Sequence, residues 1–352
     1  MDLKKYGFNS YFEQESKMYE GFVLARVIEQ HLNLYKIVCE NGERLANVSG
    51  KFRYLAINVL DYPAVGDWVM VKDVETRGNV TIHHILKRSS VFVRQSAGTS
   101  SNVQVVVSNI DIVFICMSLN DDFNLRRLER YLTISWDSQA KPVIILTKSD
   151  LCKNIESKIL EVETISIGVE IFICSYKDDS CFEKLKNYIC EGQTVAFIGS
   201  SGVGKSTIIN KLIGKDFIKT NEIRESDDKG KHTTTYRQLI LLPSGGVVID
   251  TPGMRELSIY SGDVSKTFED IEEIVARCKF RNCTHSGESG CAVRSAIMDG
   301  IIEEDRFINY KKLKRELGYH SMNCRQREQE KLNRMFGGKK VFKEFQRNLK
   351  KR

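Results

Sequence analysis

Two short motifs constrain this chain more than anything else in it, through their order. TKSD, Thr147–Asp150, stands about fifty residues before GSSGVGKS, Gly199–Ser206. The second has the form of a phosphate loop, G-x-x-x-x-G-K-S, and the first has the form of a guanine-reading turn. In a P-loop nucleotide fold the usual order is the reverse, so the two halves of one site stand circularly permuted. Whatever follows the last switch motif is therefore joined directly to the part that would sense a γ-phosphate.

The context of each motif supports its chemistry. Gly199 ends the strand-like run TVAFIG, and a helix, STIINKLIG, starts directly after Lys205. Gly199, Gly202 and Gly204 let the backbone turn tightly, with Ser200, Ser201 and Val203 between them, so that successive N–H groups and a helix N-terminus face phosphate oxygens. Lys205 is expected to neutralise the β- and γ-phosphates and Ser206 to ligate Mg²⁺. Asp150, after the run PVIIL, can accept from the guanine N1–H and 2-amino groups, which adenine lacks. Lys148 can lay its stem over the ring, and Ser149 completes the turn. Thr147 stands where an Asn is usual; its hydroxyl can still bond locally. Ser175, after VEIFIC, is a candidate partner for the base oxygen.

Two switch motifs follow the phosphate loop. In KGKHTTTYR, Lys229–Arg237, Thr234 is the expected ligand of Mg²⁺ and sensor of the γ-phosphate, with Thr235 next. In DTPG, Asp250 would hold the metal through water and Gly253 would give its N–H to the γ-phosphate. The position after Gly253 is Met254, which cannot orient a water molecule, so unassisted hydrolysis is expected to be slow. His232 is the local candidate for that task; the alternative is that it only packs or caps its loop.

Farther on, Cys278, Cys283, His285 and Cys291 form C-x4-C-x-H-x5-C. Three thiolates and one imidazole complete a tetrahedral Zn²⁺ with no open position, the mark of a structural site. The metal would contribute roughly 10 kcal/mol or more to folding a segment too small and polar to build its own core. In IIEEDRFINYKKLKREL, Ile302, Phe307, Tyr310, Leu313 and Leu317 recur at helical spacing. Lys311, Lys312, Lys314 and Arg315 largely occupy another face.

The first ninety or so residues read differently. GFVLARVI, LNLYKIVC, VGDWVMVKD and VTIHHIL are short strand-like runs separated by Asn41-Gly42, Pro63 and Arg77-Gly78-Asn79. Such spacing suggests a small closed barrel, with an OB-fold the leading candidate. Lys51, Phe52, Arg53 and Tyr54 are candidates for exposed RNA contacts or for core and rim. QSAGTSSN, Gln95–Asn102, reads as a flexible connection, and from 103 to about 260 alternating strands and helices predict a doubly wound α/β domain.

Charge and cysteine usage narrow the setting. The net charge is +7, yet residues 306–352 alone hold 16 Lys and Arg against 4 Glu, so the excess is a C-terminal property suited to a phosphate-rich partner. Of ten cysteines, Cys39, Cys116, Cys152, Cys174, Cys181 and Cys190 are scattered among apolar runs and read as reduced core thiols in a cytoplasmic protein. No leader-like N-terminus or membrane-length apolar run is evident.

With TKSD, GSSGVGKS, HTTT and DTPG permuted, PAVGDWV in the barrel and a C-x4-C-x-H-x5-C segment, the chain resembles the RsgA family, the small ribosomal subunit biogenesis GTPases of bacteria. The resemblance runs from about residue 20 to 320. It implies an OB-fold over 1–94, a permuted GTPase domain over 103–260, a mostly helical zinc domain over 261–336 and a basic tail over 337–352. It further implies GTP hydrolysis stimulated by the 30S subunit during late maturation, with 16S rRNA contacts. Guanine and phosphate binding would fall on Thr147, Lys148, Asp150 and Gly199–Thr207, and zinc on the four residues named. A monomer is the simplest state for a factor that docks on one subunit. Two alternatives stay open: a non-catalytic, GTP-switched rRNA-binding module, and a permuted GTPase serving the large subunit.

Overall fold

The computed structural model of the protein describes residues 1–31, 34–72, 79–95, 103–214, 237–250, 257–259 and 264–321. The chain divides into two compact units, 1–261 and 262–352. A short helix α1 (Ser10–Ser16), capped by Asn9, precedes the first strands. These are β1 (Val23–Gln30), β2 (Tyr35–Cys39), β3 (Gly42–Val48), then helix α2 (Gly50–Leu55), β4 (Trp68–Lys72) and β5 (Val80–Ile85). Their order, β1-β2-β3-β5-β4, closes through a β1–β4 pairing, and β3 runs parallel to β5. This is the five-stranded barrel expected of an OB-fold. Alternate residues of each strand point inward, so Ala25 and Val27 meet Ile37, Val69, Val71 and Ile82 in one core.

The α/β part follows as β6 (Val91–Gln95), β7 (Val103–Ser108), β8 (Ile112–Ser118), α3 (Leu125–Asp137), β9 (Lys141–Thr147), α4 (Ile155–Glu163), β10 (Glu170–Ile173) and α5 (Ser180–Tyr188). It continues through β11 (Thr194–Gly199), α6 (Lys205–Ile213), β12 (Gln238–Leu241), β13 (Val247–Asp250) and β14 (Leu257–Ser258). The main sheet runs β10-β9-β8-β11-β13-β12 and passes on to β1 of the barrel, with only β12 antiparallel within the α/β section. β6 and β7 do not join it; they form a separate antiparallel sheet with β14. The start of the α/β region at 103 thus lies in this smaller sheet, whose third strand, β14, comes from far along the chain.

The barrel is fixed to the sheet by a buried polar joint. Arg26 is fully buried and donates to the carbonyls of Gly66 (3.1 Å), Asn109 (3.1 Å) and Tyr6 and to Thr194 Oγ1 (3.0 Å). Burial pulls its guanidinium down to about 10, with Asp111 and Asp67 opposing. Asp67 accepts from Ala64 N–H (2.8 Å), Ser108 Oγ (2.5 Å) and the forked guanidinium of Arg88. Gly66 has φ +97°, and a Cβ there would lie 2.1 Å from the Ser108 carbonyl oxygen. The PAVGDWV segment is therefore a packing device, in which only glycine lets β7 approach.

In this unit one open sequence expectation is narrowed and another is corrected. Phe52 is half-buried against the barrel core and 6.0 Å from the Tyr62 ring, whereas Lys51, Arg53 and Tyr54 are exposed. Cys174 and Cys181 are not separate thiols: the end of β10 and the first turn of α5 bring their Cα atoms to 5.3 Å, and the pair is a disulfide.

The second unit contains α7 (Glu269–Ala276), α8 (Ala292–Met298) and α9 (Glu304–Ser321). Phe268, Ile271, Val293, Phe307, Tyr310 and Leu313 are among its buried apolar residues. The helical spacing in the sequence thus marks the inward face of α9. Lys312, Lys314 and Arg315 are exposed, and Lys314 pairs with Glu272. Among the described residues, no helix is long and apolar enough to cross a membrane.

Candidate active site and metal centre

The strand order changes direction between β8 and β11, and the crevice at their carboxyl ends is where an α/β sheet offers a ligand site. The phosphate loop lies there. β11 ends at Gly199, whose missing side chain allows close approach to β8: a Cβ would stand 2.4 Å from the Cys116 carbonyl. Ser201 and Gly202 are exposed at the loop's rim, Val203 is buried beneath it, and α6 opens at Lys205 with Ser206 and Thr207 in its first turn. Lys205 Nζ donates to the carbonyls of Gly199 (2.8 Å) and Ser200, which holds the cation over the loop.

The base-reading turn is tied to this loop by Thr147. Its hydroxyl, at the buried end of β9, donates to the Val203 carbonyl at 2.7 Å. The departure from Asn thus keeps a bond between the two halves of the site, which the sequence left as a local possibility. Lys148 takes the left-handed conformation, φ 56°, and Ser149 N–H donates to the Cys174 carbonyl at 3.2 Å. Ser175 Oγ donates to Asp150 at 3.0 Å, and Lys177 Nζ lies 3.6 Å from the other carboxylate oxygen. The Ser175 bond first, and Lys177 with it, holds the Asp150 carboxyl below its ordinary value, so it is an acceptor at neutral pH. Ser175 therefore touches the carboxylate that would read the base.

Sequence reasoning missed Arg127. From the first turn of α3 its guanidinium bonds both Asp122 oxygens (2.9 and 2.8 Å) and Ser200 Oγ, so it braces the second residue of the phosphate loop. The only signal was a basic residue in a helix that starts beside a strand's carboxyl end. His232, Thr234, Thr235, Gly253 and Met254 lie outside the described residues, as do the Asp250 side chain and residues 96–102 of the connection read as flexible. Of the Mg²⁺ set only Ser206 is placed, half-buried at the start of α6. Its oxygen suits a hard cation.

In the second unit, Cys278, Cys283, His285 and Cys291 converge, with one ligand atom from each within 4.8 Å of all the others. His285 Nδ1 is 3.6 Å from Cys278 Sγ and 3.5 Å from Cys291 Sγ. With Zn–S near ~2.3 Å and Zn–N near ~2.0 Å, a tetrahedral ion needs separations of about that size. The donor set and spacing fit zinc. The turn carrying His285, φ 59°, is braced by Glu288, which accepts from Thr284 N–H and Oγ1, Ser286 N–H and Gly287 N–H. These bonds, that of the Thr284 hydroxyl first, hold the Glu288 carboxyl far below its ordinary range.

The RsgA GTPase family model matches residues 85–260, from the end of β5 through the phosphate loop and both switch motifs. A small ribosomal subunit biogenesis GTPase, RsgA 2 of Lactiplantibacillus plantarum, is 48% identical over 97% of each chain. The chain belongs to the RsgA GTPase family. It is accordingly a GTP hydrolase with a circularly permuted GTPase fold. A second relative, RsgA 1 of Listeria innocua, is 43% identical over 91% of each chain. Among solved structures, YjeQ from Thermotoga maritima is similar with a TM-score of 0.62 and 27% identity, covering 84% of this chain and 98% of that one. YloQ, described as a circularly permuted GTPase, shares the fold with a TM-score of 0.60 at 24% identity, covering 87% of this chain and 98% of that one.

Proposed function

We propose that this protein acts in the late maturation of the 30S ribosomal subunit, hydrolysing GTP while bound to the subunit and 16S rRNA and leaving when GDP remains. One observation carries the reading: near-half identity along 97% of the chain to a relative named for small-subunit biogenesis. Identity of that extent covers barrel, nucleotide site and zinc segment together. The working division is a barrel over 1–94, a GTPase domain over 103–260, a zinc domain over 261–336 and a basic tail over 337–352, in a cytoplasmic monomer.

Asp150 reads guanine from the orientation that Ser175 gives it, Lys148 covers the ring, and Thr147 couples base to phosphate loop. The N–H groups of Gly199–Thr207 cradle the phosphates, and Lys205 leaves its loop carbonyls to neutralise them. Ser206 and Thr234 would hold Mg²⁺, supported by Asp250; bound there, the ion would supply positive charge to the nucleotide phosphates. Gly253 N–H engages the γ-phosphate, and His232 orients the attacking water. Cys278, Cys283, His285 and Cys291 hold a structural Zn²⁺. Because the segment after DTPG leads straight into the zinc domain, γ-phosphate loss is felt there first.

The test is GTP hydrolysis with and without 30S subunits, using 50S subunits and ATP as controls. Stimulation confined to GTP and 30S supports the reading, and His232→Ala should then remove turnover while sparing GTP binding. Tight GTP binding with no stimulation would transfer the case to a non-catalytic, GTP-switched rRNA-binding module.

A further inference from the structure

We propose that Cys174 and Cys181 are a redox modification site that locks the guanine-reading loop. This rests on the assignment of Asp150 as the base reader. The disulfide closes a loop that begins at the end of β10 and returns in the first turn of α5. Inside it lie Ser175 and Lys177, the two side chains that touch Asp150. The carbonyl of Cys174 itself accepts from Ser149 N–H, within TKSD, and its N–H donates to Leu146 at the end of β9. One end of the crosslink is thus bonded to the base-reading turn, while the other is anchored in α5, where Cys181, Phe182 and Leu185 are buried.

Both sulfurs are covered, with Cys174 and Cys181 at 2% and 4% exposure, but residues 176–180 between them are all exposed. Without the crosslink, only the backbone through residues 175–180 joins the two ends of this exposed loop. Ser175 and Lys177 then hold Asp150 through noncovalent bonds alone. With it, the loop's freedom is reduced and the Ser175–Asp150 bond is kept in place. The oxidised form releases guanine nucleotide more slowly and discriminates more sharply for the 2-amino group that Asp150 accepts from.

A small peroxide is the fitting oxidant for thiols so enclosed. One thiolate attacks a peroxide oxygen, the O–O bond breaks, and a sulfenic acid and water result; the second thiol displaces that oxygen as another water, forming the S–S bond. Two thiols are oxidised, one peroxide is reduced, and both thiol protons end in water. A dithiol reductant reverses the change.

The experiment uses full-length, zinc-loaded protein carrying Cys152→Ser and Cys190→Ser, so that other non-zinc thiols among the described residues do not report, apart from buried Cys39 and Cys116. After hydrogen peroxide or dithiothreitol, peptide mapping locates the crosslink and a chromogenic chelator monitors zinc loss. Dissociation of GDP and of IDP is then timed. The expected result is a Cys174–Cys181 crosslink, GDP release slowed about three- to tenfold in the oxidised form, and a larger GDP-over-IDP preference. Cys181→Ser and, should that buried serine disturb folding, Cys181→Ala should behave as the reduced form under both treatments. Absence of the crosslink, equal GDP release in both states, or a peroxide response retained in the Cys181 variants would overturn the lock. Failure to bind guanine nucleotide in either state, with the crosslink formed, would overturn the Asp150 assignment and the lock together.

Discussion

The joint between barrel and sheet and the cysteine–histidine segment solve the same problem by opposite means. Each must order a short, polar, irregular stretch. At the joint the chain supplies every partner: Arg26 and Asp67 are buried, and their hydrogen bonds are met by carbonyls, an N–H, hydroxyls and a second arginine. In the segment around His285 the residues are largely half-buried or exposed, and the chain supplies four ligand atoms for an ion that must come from solution. An internally satisfied network is set by packing and answers to side-chain shape; a ligand cluster answers to the solution around it.

The largest expected effect comes from taking the ion away. Chelation, or Cys283→Ser, should cost the second unit on the order of 10 kcal/mol and unfold residues 278–291, seen as loss of hydrogen-exchange protection there with the barrel unchanged. Protection retained without zinc would break the contrast. Next is Gly66→Ala. Its Cβ would meet the Ser108 carbonyl at 2.1 Å in a left-handed backbone, so about 4 kcal/mol should be lost in denaturant melts while zinc content is kept. Asp67→Asn follows at about 3 kcal/mol, because it leaves Arg88 facing a neutral partner at a fully buried position. Glu288→Gln is the counterpart in the metal segment: a carboxylate that also gathers backbone N–H groups, but in water. It should shift melting of the zinc-loaded protein by about 2 °C or less. An effect as large as that of Asp67→Asn would show that the segment, too, depends on an internal network.

Legibility followed the range of the interactions. The phosphate loop, TKSD and the cysteine spacing are local, and the helix inward face of Phe307, Tyr310 and Leu313 follows from periodicity alone. Four barrel strands were readable for the same reason. β3, GERLANV, was not, since its Glu43, Arg44 and Asn47 hide the alternation directly after the Asn41-Gly42 turn. Arg26 reads in a strand as a solvent-facing residue; only the arrival of Asn109 and Thr194 makes it an internal one. The β6–β7–β14 sheet and the contact of Arg127 with Ser200 likewise depend on partners far along the chain. Cys174 and Cys181 are close in sequence, yet their pairing depends on where β10 stops and α5 starts. Ser175 was read as a partner for a base oxygen from its place after VEIFIC; its bond to Asp150 depends on how the end of β10 meets TKSD.

The Arg26 bonds also impose a schedule on synthesis. Thr194 is made 168 residues after Arg26, and Gln238, whose amide reaches Glu29 on the same strand, is made 209 residues after Glu29. A nascent chain that has completed the barrel strands therefore carries an arginine whose last acceptors do not yet exist. The first domain to leave the ribosome stays electrostatically unfinished until β11 emerges, so truncations before residue 194 should yield a barrel that is less stable than its own core would suggest.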